Sequence, residues 1–104
     1  MKLIDEIKNF LLNNDGDDVD WYGDFSDGGY YLKITKNGVD SIECEFNGAT
    51  CYGIPKVNEY TVKFGVDTYS DEHVIVWFKS YNGHGSTHIT DIDSFKWYIS
   101  QILD

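Results

Sequence analysis

Apolar residues recur along the chain in two periods, and the change from one to the other lays out the elements. From Lys2 to Leu12, the residues Leu3, Ile7, Phe10 and Leu11 share one helical stripe with Ile4 beside it, which predicts a short amphipathic helix. Asp5 and Glu6 fall in its first turns, where the helix dipole favours negative charge. Asn13-Asn14 is the expected stop. Val19, Trp21 and Phe25 then alternate with polar or small residues, so part of this stretch reads as a first strand, ended by a turn at Gly28-Gly29.

From Tyr30 the period is two. Tyr30, Leu32 and Ile34 alternate with polar positions, and Asn37-Gly38 is the dipeptide that a type I′ hairpin turn asks for, because both central residues need positive φ. The returning strand, Asp40 to Phe46, points Ile42, Cys44 and Phe46 inward and Ser41, Glu43 and Glu45 outward. Asn47 to Asn58, with Pro55, is irregular; Tyr60 to Val66 is a strand with Tyr60, Val62, Phe64 and Val66 on one side. Ser70-Asp71-Glu72 turns the chain into His73 to Tyr81. That strand is apolar on both sides, with Val74, Val76 and Phe78 opposed to Ile75, Trp77 and Tyr81, the pattern of a strand covered on both faces.

Asn82-Gly83-His84-Gly85-Ser86 reads as a loop before a short strand at Thr87 to Ile89. Thr90 and Asp93 resemble a capping box ahead of a helix over Asp91 to Leu103, with Ile92, Phe95, Ile99, Ile102 and Leu103 on its buried stripe and Trp97 and Tyr98 partly off it. The expected fold is α+β: an N-terminal helix, a mostly antiparallel sheet of four to six strands, and a C-terminal helix packed on the sheet. At 104 residues the chain forms one domain over 1–104. An aromatic content of 16% lets so short a chain build its core from few side chains.

Charge changes the picture most. The formal net charge is −10, and all eight basic residues are lysines. A strongly negative field repels nucleic acid and anionic membranes and attracts basic protein surfaces, and the lack of arginine removes the side chain that forks onto phosphates. The segment Asp15 to Gly29 holds six aspartates and no base. Two cysteines make no disulfide framework, and Met1-Lys2-Leu3-Ile4-Asp5-Glu6 carries acids where a signal peptide has its apolar run. The expectation is a cytoplasmic protein of a bacterial host cell, with reduced thiols.

Three kinds of chemistry are weighed against this background. Asn13, Asp15, Asp17 and Asp24 have the spacing of a calcium loop, but Asp18 stands where the sharp turn needs glycine, and the last ligand is not glutamate. His84 and His88, with Cys44 and Cys51, make up a possible zinc set, yet the cysteine spacing fits no finger type and Cys44 alternates with core residues. A nucleophilic cysteine needs an electropositive setting, and Gly83-His84-Gly85-Ser86 lacks the nucleophile-elbow pattern. No cofactor and no catalytic residue is expected.

What remains is a surface. Duplex DNA shows one negative charge per ~1.7 Å of its axis, and a row of short carboxylates can imitate it. The expected partner-binding residues are Asp15, Asp17, Asp18, Asp20, Asp24, Asp27, Glu43 and Glu45, with Trp21 and Tyr22 as aromatic anchors. They point to a non-enzymatic inhibitor of a basic nucleic-acid-handling protein, such as a nuclease, of the phage anti-CRISPR or anti-restriction type. An immunity protein neutralising a cationic toxin and a calcium-binding accessory domain are the alternatives.

Overall fold

The structure is a computed structural model that describes residues 1–16, 18–19, 30–48, 61–80 and 83–103. Helix α1 (Leu3–Asn14) leads into a sheet of β1 (Asp18–Val19), β2 (Tyr30–Asn37), β3 (Ser41–Gly48), β4 (Thr61–Ser70), β5 (His73–Ser80) and β6 (Gly83–Ile89), and helix α2 (Ile92–Leu103) closes the chain. The six strands lie in chain order, each antiparallel to the next. The arrangement is α+β, as the periodicities predict. Among the described residues no helix is long and apolar enough to cross a membrane.

The core follows from the register. Leu32 pairs with Phe46, Phe46 with Val62, Phe64 with Cys44 and Val66 with Val76, so the apolar set of every strand lands on one face. Leu3, Ile4, Ile7 and Leu11 of α1 and Phe95 and Ile99 of α2 join them in one buried cluster. Phe64 is its pivot, stacked on Phe46 at 5.0 Å and tilted against Phe95 at 6.3 Å, which ties sheet to helix. The two helices lie side by side, with the Lys96 ammonium 4.5 Å from the Phe10 ring centre.

Several local expectations are corrected. Helix α1 continues through Asn13 and Asn14, because the Asn14 side chain donates to the Phe10 carbonyl at 2.8 Å, four residues back. The β2–β3 connection is a three-residue loop, Gly38 to Asp40, in which the Gly38 amide donates to the Ser41 carbonyl at 2.9 Å. Gly38 is not in the positive-φ region, so no type I′ turn forms at Asn37-Gly38. Residues 83–86 belong to β6 rather than to a loop: Gly85 faces Phe78, whose ring would stand 2.8 Å from a Cβ there, so glycine makes room for a core aromatic. The cap of α2 is Asp91, not Thr90; its carboxylate accepts from the Ser94 amide at 2.6 Å.

The second face of β5 is also not the covered face that its apolar pattern suggests. Ile75 and Trp77 are half-buried, and both helices pack on the other side. Trp77 instead lies flat on Gly65 of the neighbouring strand; a Cβ at Gly65 would come within 2.2 Å of its ring. An indole covering a cross-strand glycine keeps apolar surface from water without a second layer. The strand expected through Trp21 and Phe25, the turn at Gly28-Gly29, the irregular stretch at 49–58 and Tyr60 lie outside the described residues.

Candidate functional site

Of the expected partner-binding residues, the structure describes the side chains of Asp15, Glu43 and Glu45. Asp17, Asp20, Trp21, Tyr22, Asp24 and Asp27 lie outside the described residues, and of Asp18 only the backbone is described, paired with Tyr31 in β1. Asp15 has a structural task. The Ile34 amide donates to its carboxylate at 2.6 Å, and the Gly16 amide donates to the Leu32 carbonyl at 2.7 Å. Together with β1 they occupy the hydrogen-bonding edge of β2 that would otherwise stay open.

Glu43 and Glu45 do point outward, on the face away from the helices, with lysines as their cross-strand neighbours. One row of the sheet reads Lys33, Glu45, Lys63, Lys79 and His84 across five strands, and Lys36 stands opposite Glu43 in the next. The Lys63 ammonium is 3.5 Å from the Glu45 carboxylate. Half of the eight lysines are therefore on this face, interleaved with Glu43 and Glu45.

Among the described residues, exposed acids gather at the end of the sheet that carries the β2–β3 loop and the β4–β5 turn. Helix α1 starts there: the Leu3 amide donates to the Asp71 carbonyl at 2.8 Å, which sets Asp5 and Glu6 beside the Asp71-Glu72 turn. Asp40 belongs to the same end, since its carbonyl accepts from the Thr68 amide at 2.9 Å. Asp91 and Asp93 follow β6, whose last residue Ile89 pairs with Val74. These acids are all exposed. Two lysines at this end are engaged: Lys2 pairs with Asp71 at 3.8 Å, and the Lys8 ammonium donates to the carbonyls of Gly38 and Val39, the latter at 2.7 Å. Lys36, near the loop, is exposed.

Sequence reasoning missed this cap because its members are scattered over four segments, none of which is an acidic run. The only signal was the recurrence of an acid at each predicted turn or helix start on alternate connections of a meander, which place such points at the same end. Val19 and Tyr30, where the Asp-rich segment leaves and rejoins the sheet, lie at the opposite end.

The calcium and zinc spacings do not assemble among the described residues. Asn13, the first position of the supposed calcium loop, is inside α1, and an Asp15 oxygen is taken by the Ile34 amide. His84 and His88 sit four residues apart on a strand, a separation of about 13 Å, while Cys44 is buried on the other face; Cys51 lies outside the described residues. Burial pushes the Cys44 thiol up to about 12, and the charges of Asp15 and Glu43 push it the same way. Among the described residues no group of three or more His, Cys, Asp or Glu is placed to hold a metal. The chain matches no protein-family model, no curated protein and no solved structure.

Proposed function

We propose that the protein is a non-enzymatic inhibitor that sets its acidic end onto a basic, nucleic-acid-handling protein and occupies that protein's nucleic-acid site. The observation that carries this reading is the convergence of exposed carboxylates from α1, the β2–β3 loop, the β4–β5 turn and the start of α2 on one end of the sheet, where Lys2 and Lys8 are already engaged. Short turns and helix starts hold these groups close to the backbone, so little side-chain freedom is lost when a cationic surface docks. The long-range field of a −10 chain speeds encounter and makes it sensitive to salt. The six aspartates between residues 15 and 27 add to this field.

The test is competition. Basic nucleic-acid-binding proteins from a host or phage-infected lysate are loaded with labelled duplex DNA and challenged with this protein at rising ionic strength. Release of the DNA that fades with salt is the expected result. Reversing charge at Asp40, Asp71 and Glu72 should weaken release at least tenfold, and the same change at Asp17, Asp18 and Asp20 measures the share of the Asp-rich segment. Release that ignores both ionic strength and both sets of substitutions would sink the proposal.

A further inference from the structure

The zinc spacing fails because it pairs the wrong histidines. His73 opens β5 directly after the Asp71-Glu72 turn, and His88 stands opposite Ile75 on β6, so the two are diagonal neighbours across adjacent strands. Nε2 of His73 and Nδ1 of His88 are 2.7 Å apart, with the rings inclined at 63°. Tyr69 packs against both rings, at 4.7 Å from His73 and 5.9 Å from His88, and limits how far either can turn. We propose that His73 and His88 form a binding site for a late divalent transition metal, with Cu²⁺ preferred over Ni²⁺ and Zn²⁺.

The geometry carries the argument. Two imidazole nitrogens that face each other hold one proton between them, with the lone pair of one accepting from the other. A metal needs the same convergence, with both lone pairs turned to the centre. At metal–nitrogen distances of ~2.0 Å, ligands at a right angle stand about 2.8 Å apart and tetrahedral ones about 3.3 Å. The observed 2.7 Å is nearer the first spacing than the second, and in either case both rings must swing so that their lone pairs leave the line between the nitrogens and meet at the ion. A right-angled pair suits tetragonal Cu²⁺ or Ni²⁺, and the general order of divalent affinities puts Cu²⁺ first.

On binding, the proton between the rings moves to the other nitrogen of its own imidazole, so two neutral ligands face the ion and no redox step is involved. Water fills the remaining positions, because no third protein ligand completes the group among the described residues. The carboxylates of Asp67, Asp71 and Glu72 raise the local concentration of cations without acting as ligands. The site does not depend on the inhibitor reading.

Calorimetric titration of the full chain with CuCl₂, NiCl₂ and ZnCl₂ in a non-coordinating buffer tests it, with electron paramagnetic resonance for the copper form. Expected are one equivalent of Cu²⁺ in a tetragonal signal showing two imidazole nitrogens, and affinity falling in the order Cu²⁺, Ni²⁺, Zn²⁺. His73→Asn and His88→Asn should each weaken Cu²⁺ binding roughly tenfold or more, and His84→Asn should leave it unchanged. In the unsubstituted chain, diamagnetic Zn²⁺ should shift the ring nitrogen resonances of His73 and His88 and not those of His84. Absence of saturable binding, binding kept by both single variants, an equal loss in His84→Asn, or Zn²⁺ shifts centred on His84 overturns the proposal.

Discussion

Replacing Gly65 with alanine places a methyl group where Trp77 already is. The new Cβ would stand 2.2, 2.3 and 2.4 Å from Cε2, Cζ2 and Nε1 of the indole, whereas unstrained carbon contacts lie at about 3.5–4.0 Å. The ring must therefore rise by more than about 1 Å or swing away, which exposes Gly65 and the flank of Ile75. Overpacking of this kind costs about 1–3 kcal/mol, and in a domain of this length each kcal/mol lowers Tm by about 4–8 °C. The sign reverses once the ring is gone. In a Trp77→Ala background the same change replaces a strand glycine with alanine in open space and stabilises by about 0.5–1 kcal/mol. The double-mutant cycle thus predicts a coupling of about 1.5–4 kcal/mol, read by urea unfolding followed by far-ultraviolet circular dichroism. If Gly65→Ala costs the same in both backgrounds, the indole does not rest on this glycine.

Two further outcomes concern single groups. The Ser94 amide holds the Asp91 carboxyl below its ordinary value, so the stabilisation it gives α2 is present above the unfolded carboxyl value of about 3.9 and is lost as pH falls through the lower folded value. Asp91→Ala should lower Tm most at neutral pH, with a deficit that shrinks in acid; a deficit constant from neutral pH to pH about 2 argues against the cap. The Cys44 thiol, raised to about 12 by burial, should resist thiol reagents in a Cys51→Ser variant at pH about 8 and react only at the rate of unfolding, so labelling on mixing would show that the core admits solvent.

The hairpin and the two helices were legible because alternation and helical spacing are local properties: Ile42, Cys44 and Phe46 had to share a face whatever they packed on. The misreadings share a cause. Gly83 and Gly85 look like loop when read alone, and only the Phe78 ring across the strand pair explains why glycine is needed at position 85 of β6. Ile75 and Trp77 look like a second buried face, and only Gly65 shows how a strand can shelter an indole without another layer.

The succession of helix, strands and helix, the identity of the inward set and the net charge follow from the residues themselves, since each depends on spacing or on counting. The strand order β1 to β6 came from the structure. Which charges and rings become neighbours is also decided there, because strand register joins residues far apart in the chain. Register interleaves Lys33, Lys36, Lys63 and Lys79 with Glu43 and Glu45, gathers Asp5, Asp40, Asp71 and Asp91 at one end, and turns His88 away from His84 and toward His73.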